Sequence, residues 1–121
     1  SGTLVRTLNG HDDWIGSLTT LPNGNLASGS YNSIKIWNPN DGKLIRTLDG
    51  RFDWFTSLLV LQNEYLAGGS YDTIKIWDSN DGKFMALLSG DHDWFTSLAM
   101  LKNGFMVTGS YDSIKIWDVK L

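Results

Sequence analysis

The nine residues Ser70–Asp78, SYDTIKIWD, recur as SYNSIKIWN from Ser30 and as SYDSIKIWD from Ser110, so Trp37, Trp77 and Trp117 stand about forty residues apart. A fixed period of this length is the strongest constraint on the chain, because each repeat must be one supersecondary unit that buries its faces against its neighbours. Within each copy, Tyr-Asp or Tyr-Asn follows Gly-Ser, where turn chemistry is expected. Ile-Lys-Ile-Trp then alternates faces as a strand does, with Ile34 and Ile36 on one side and Lys35 and Trp37 on the other.

The same unit can be read along the whole 121 residues. Leu4–Leu8 is a short strand candidate ending at Asn9-Gly10. Residues 14–21 form the second, Pro22-Asn23-Gly24-Asn25 is a hairpin turn, and 26–30 and 34–38 are the third and fourth. Pro39 to Lys43 is another turn, and the series restarts at 44–48, ending at Asp49-Gly50. The second copy continues through 54–61, 65–70 and 74–78. The third runs through 84–88, 94–101, 105–110 and 114–118. No window carries a helical period, so the expected class is all-β, with four strands per repeat and repeats at about 1–40, 41–80 and 81–121.

Composition bears on function mainly by exclusion. A net charge of −3 and a pI near 5.1 argue against a general nucleic-acid footprint, so no nucleic acid is expected as a partner. Without cysteine there is neither a disulfide framework nor thiolate chemistry. No stretch reaches the ~18 apolar residues of a spanning helix, so no membrane partner is expected; with no signal peptide visible, a cytoplasmic location is favoured. GxSxG, HExxH, a phosphate-binding loop and a metal-spaced His/Cys cluster are all absent, and the expectation is a protein that is not an enzyme and carries no cofactor or metal. His11 and His92 read as loop hydrogen-bonding residues rather than catalysts.

Several offsets agree in each copy. Gly10-His11, Leu26 to Ser30, Asn32 and Ile34 to Asn38 mark the first; Gly50, Ala67 to Ser70, Asp72 and Ile74 to Asp78 the second; Gly90, Val107 to Ser110, Asp112 and Ile114 to Asp118 the third. This pattern resembles the tryptophan–aspartate (WD) repeat family of β-propellers over essentially the whole chain. The resemblance implies four-stranded antiparallel blades, with strands A to D running from the channel outward. Mapped so, the chain reads D-ABCD-ABCD-ABC. An outer strand at Leu4–Leu8 then has no blade of its own, and the last blade lacks its outer strand.

That mismatch predicts closure between copies by strand exchange. An unpaired edge at Ile114–Asp118 is a template for pairing, and ~400 Å² of exposed apolar blade face is worth around 10 kcal/mol at ~25 cal/mol per Å². Head-to-tail contacts of this kind favour closed rings. Three blades per chain give six as a homodimer or nine as a homotrimer. Six is preferred, needing about 60° per blade against the ~51° of a seven-bladed ring.

The resemblance also implies a hydrogen-bonded set in each repeat: a His, a Ser or Thr, an Asp and the Trp. The positions are His11, Ser28, Asn32 and Trp37; then Arg51, Gly68, Asp72 and Trp77; then Asp91, Thr108, Asp112 and Trp117. Arg51 and Asp72 suggest an ion pair in the second set. Asp91 facing Asp112 suggests a raised carboxyl pKa in the third, with His92 placed to relieve it. Asp13, Asp53 and Asp93 recur before strand A and read as loop anchors.

In propellers of this family the top surface around the channel is where peptides commonly dock. Trp14, Trp54 and Trp94, Tyr31, Tyr71 and Tyr111, and Thr56 and Thr96 fall at such positions. Trp and Tyr dominate interface hot spots, so the leading expectation is a scaffold binding a protein or peptide on its top face. The alternatives are a multivalent lectin-like propeller stacking sugars on Trp, and a stretch of a longer or engineered repeat protein with no ligand of its own.

Overall fold

The computed structural model describes residues 2–121; the side chains of residues 51, 63 and 90–93 lie outside that description. Eleven strands form three antiparallel sheets. The first holds β1 (Ser17–Thr20), β2 (Leu26–Gly29), β3 (Tyr31–Trp37) and β4 (Leu44–Trp54) in that order. The second repeats it with β5 (Ser57–Val60), β6 (Tyr65–Gly69), β7 (Tyr71–Asp78) and β8 (Phe84–Trp94). The third holds β9 (Ser97–Met100), β10 (Met106–Gly109) and β11 (Ile114–Trp117), with β11 at its edge. Every pairing is antiparallel, and β1, β5 and β9 lie side by side across the three sheets. The chain is therefore all-β with stacked antiparallel sheets, and the three sheets do not close into a ring.

Two expectations need correcting. The sequence predicts a turn at Tyr31-Asn32-Ser33 and the end of the outer strand at Asp49-Gly50. Instead, β3 starts at Tyr31 and β4 runs on to Trp54, with Tyr31 opposite Trp54 and a register shift between Tyr31 and Ser33. Asn32 (φ 73°) and Phe52 (φ 66°) adopt the left-handed conformation, and the Phe52 N–H donates to Asn32 Oδ1 at 2.6 Å. Asn suits that conformation because its short side chain bonds locally. A bulge therefore carries both strands past the point where sequence signals turns.

The third repeat shows that this extension depends on a partner. Its SYDSIKIWD differs little from the second copy, yet β11 covers only Ile114–Trp117 while β7 covers Tyr71–Asp78. β7 has β8 beside it; among the described residues β11 has no outer neighbour. At the other end, Leu4–Leu8, expected as a strand, forms no ladder for the same reason. It is nevertheless placed. Arg6 Nη2 donates to Asn40 O at 2.7 Å, as Arg46 Nη2 donates to Asn80 O at 2.9 Å forty residues on. Side chains of Arg6 and Leu8 lie over Gly42 as those of Arg46 and Leu48 lie over Gly82. The segment thus sits against the first sheet as β4 sits against the second.

Two cores lie between adjacent sheets. Ala27, Ile34, Ile36 and Leu48 of the first sheet meet Phe55, Leu58, Leu66 and Trp77 of the second. Ala67, Ile74 and Ile76 of the second meet Phe95 and Met106 of the third. Phe55 is fully buried, and the backbone closes on it: a Cβ at Gly50 would overlap its ring, and one at Gly68 would come within 2.8 Å of Cδ1.

The outer faces of the stack are open. Ile15 and Leu18, the counterparts of Phe55 and Leu58, are 48% and 63% exposed; they border a hollow of about 170 Å³ beside Trp37. Ile114 and Ile116, the counterparts of the buried Ile74 and Ile76, are 77% and 62% exposed.

This packing makes two substitutions informative. Phe55→Ala is expected to lower unfolding free energy by about 3–5 kcal/mol, and Gly50→Ala by about 1–3 kcal/mol through overpacking against the same ring. Denaturant midpoints of both variants against the parent check this.

Candidate functional site

The hydroxyl set assembles around Ser28. Its Oγ accepts the Trp37 indole N–H at 2.8 Å and lies 2.6 Å from His11 Nε2. The His11 ring meets Trp37 edge-on at 6.2 Å. Burial first, and Lys35 second, push the His11 imidazole below its ordinary value; the bond to Ser28 and the charge of Asp12 offset this only in part. The Ser28 hydroxyl also lies 3.4 Å from Lys35 O as a donor, and the imidazole tautomer sets which way the His11–Ser28 bond runs. Asn32 stands apart, spent on the Phe52 N–H.

The other two sets differ. In the second, Gly68 brings no hydroxyl; Phe55 takes the space and packs edge-on against Trp77 at 5.7 Å. The Arg51 side chain of the expected ion pair lies outside the described residues, and Asp72 adopts φ 64° in the bulge. In the third, Trp117 donates to Thr108 Oγ1 at 3.0 Å. The expected approach of Asp91 to Asp112, and the role given to His92, lie outside the described residues. The sets hold strands within a repeat. Among the described residues, no group of His, Cys, Asp and Glu is placed to hold a metal ion.

A row of indoles crosses the sheets. Trp14 meets Trp54 edge-on at 6.3 Å, and Trp54 meets Trp94 edge-on at 6.1 Å. Tyr71 packs edge-on against Trp94 at 6.1 Å. Long strands β4 and β8 carry Trp54 and Trp94 to their ends, so the bulge in each sheet sets the spacing of the row. Tyr31 and Tyr71 are exposed beside it, Tyr111 is 93% exposed, and Trp14 is 77% exposed.

Hydroxyls anchor this row unevenly. Thr56 Oγ1 accepts the Trp94 indole N–H at 3.2 Å and donates to Phe95 O at 3.1 Å, tying the second sheet to the third. Ser17 Oγ donates to Phe55 O at 2.9 Å and ties the first sheet to the second. Thr96, at the matching position in the third sheet, reaches only Gly109 O of its own sheet at 3.5 Å. The position matching Thr56 in the first repeat is Gly16, where a Cβ would stand 2.9 Å from Trp54 Nε1. Among the described residues, that buried indole N–H has no partner. The orphan was legible in the sequence as Gly16 against Thr56 and Thr96, once the Trp-to-hydroxyl link was known.

The carboxylates before the inner strands also diverge. Asp53 pairs with Lys75 at 2.5 Å, and Lys75 Nζ also donates to Gly50 O. Asp13 Oδ1 accepts its neighbour's Trp14 N–H at 2.7 Å. Lys35, the counterpart of Lys75, donates instead to Thr47 Oγ1 at 3.1 Å. Asp13, Trp14, Tyr31 and Trp54 line an open surface recess of about 360 Å³.

With this geometry in hand, three comparisons bear on the chain. The family model described as "WD domain, G-beta repeat" matches residues 2–38. A solved structure, the WD40 beta propeller domain of Doa1, superposes with a TM-score of 0.82 at 22% sequence identity, covering 91% of this chain and 38% of that one. The chain thus spans well under half the length of that propeller chain. A search of curated proteins returns no match.

Two measurements follow. Thr56→Val strands the Trp94 N–H and is expected to cost about 1–2 kcal/mol of stability, read by thermal unfolding. His11 has its folded pKa depressed, so the unfolded chain binds the proton more readily. Stability is full above the ordinary histidine pKa and falls as pH drops through it toward the lower folded value. Denaturant midpoints between pH 7.5 and 5.5 should show that loss, and His11→Gln should flatten it.

Proposed function

We propose that this chain is built of WD-repeat β-propeller blades and is a non-enzymatic scaffold that closes into a six-bladed ring with a second copy of itself and offers its Trp and Tyr rim to a protein or peptide. In this reading the chain divides into the three repeats 1–40, 41–80 and 81–121, in the strand order D-ABCD-ABCD-ABC.

The observation that carries the reading is the contrast between buried and exposed counterparts. Phe55 and Leu58 are covered where Ile15 and Leu18 are open, and Ile74 and Ile76 are covered where Ile114 and Ile116 are open. The two open faces are therefore front and back halves of the same kind of contact. A head-to-tail joint that repeats once closes a two-fold ring.

The placement of Leu4–Leu8 supports the same joint. It lies on the first sheet where an outer strand would, outside any ladder, and β11 is an edge strand with no outer neighbour among the described residues. Following the pairs Tyr31–Trp54 and Tyr71–Trp94, Tyr111 of one copy would face Trp14 of the other.

The rim is suited to recognition because its Tyr rings are exposed and its Trp rings are braced against one another. Rigid aromatic side chains give large contact area at low entropic cost.

Light scattering on the 121-residue chain is expected to give about 27 kDa, twice 13.5 kDa, as closure by two copies requires. Removing residues 1–9, or introducing Ile116→Asp, should return the single-chain mass. A mass three times that of one chain would replace six blades by nine, and a single-copy mass for the intact chain would refute closure. For the rim, a peptide selected from a random library should lose binding on Tyr31→Ala with the circular dichroism unchanged. A library that yields no binder counts against the rim as a docking surface.

A further inference from the structure

The two junctions along the indole row, Trp14–Trp54 and Trp54–Trp94, are not equivalent. At the second, Trp94 is tied to Thr56 and covered by Tyr71, while Asp53 is neutralised by Lys75. At the first, Gly16 supplies no hydroxyl to Trp54. Lys35 is drawn away to Thr47, and among the described residues no ion pair holds Asp13. The result is a recess walled by three aromatic rings and one carboxylate.

We infer that the recess formed by Asp13, Trp14, Tyr31 and Trp54 binds a methylated ammonium group, of the kind a trimethylated lysine side chain presents. This rests on the rim being a recognition surface and names what that surface would read. The argument is one of charge and shape. Trp14 and Trp54 stand at 64° to each other with centroids 6.3 Å apart, so two ring surfaces meet at a corner. Tyr31 is held opposite Trp54 across the β3–β4 ladder and supplies a third wall. A cation is attracted to the negative face of each ring. The carboxylate is fixed at the foot of Trp14 by that residue's own N–H and adds a full negative charge.

The same chemistry selects among cations. A primary ammonium is compact and strongly hydrated, and it asks for acceptors for three N–H groups. A recess offering one carboxylate and three rings does not replace that hydration. A methylated head has spread charge and an apolar surface, so it gives up less water and touches the rings directly. A sugar would need several donors and acceptors in fixed positions, and the walls provide mostly π surface. In a closed dimer the site would occur twice, and a ligand carrying two such groups would gain by avidity.

The test uses three probes on the intact chain: N-acetyl trimethyl-lysine amide, its unmethylated counterpart, and the neutral analogue with carbon in place of the quaternary nitrogen. Binding is followed by tryptophan fluorescence and by NMR shifts of indole N–H signals. The trimethylated probe should saturate, and the neutral analogue should bind about twofold to thirtyfold more weakly. Asp13→Asn should weaken binding several-fold, and Trp14→Ala should abolish it. Both positions are exposed, and circular dichroism confirms that each variant folds. Equal binding of the neutral analogue, no saturation by millimolar trimethylated probe, or binding of a simple glycoside at these residues instead would each overturn the proposal. Light scattering and library-peptide binding on the same sample test ring closure and rim docking independently of the recess.

Discussion

Packing of one small sheet on the next is the interaction everything else in this chain depends on. A four-stranded sheet of this size has two apolar faces and no helix to cover them. Phe55 and Phe95 solve this once per junction, each reaching from the start of one sheet into the back of the preceding one. The fit leaves no slack around Phe55, since Gly50, Gly68 and Gly29 bring backbone against its ring or Cβ. Burial follows the presence of a neighbouring sheet rather than residue type: isoleucines at matching positions are buried in the first two sheets and exposed in the last.

Hydrogen bonding follows the same dependence. β7 and β11 begin from nearly the same nine residues, yet only the strand with an outer partner extends through its bulge. The bulge in turn lengthens β4 and β8 and carries Trp54 and Trp94 to the rim. The aromatic rim is thus a by-product of strand pairing several residues away. Single hydroxyls decide the details. Where Thr56 is present a Trp is tied down, and where Gly16 replaces it an indole N–H is left unpaired. The row of rings is uniform in type and uneven in anchorage, and that unevenness distinguishes the first junction.

Much of the architecture was readable from residues alone. The period, the alternation of Ile-Lys-Ile-Trp and the Asn-Gly turn at Asn23-Gly24 lead to strands β1 to β3 nearly where they occur. The bulge was not readable, because Asp49-Gly50 carries a turn signal that β3 overrides by pairing across it. The Ser28 set was legible for His11 and Trp37. It was not for Asn32, since the left-handed turn aims that carboxamide at Phe52. Tyr65 follows a turn in which Glu64 adopts φ 66°, held by Ser79 and Asn80, at the place where the other repeats have Gly24 and Gly104. Composition alone would not place a glutamate there.

What the sequence by itself determined is the repeat and therefore the sheets, because alternation and turn chemistry act over a few residues and need no distant partner. What only the tertiary structure decided is which equivalent residues become core, which strands find a partner, and which Asp gains a lysine. Those outcomes depend on what stands across a blade junction, on contacts between residues 22 to 39 positions apart. Three near-identical units therefore end up in three different environments.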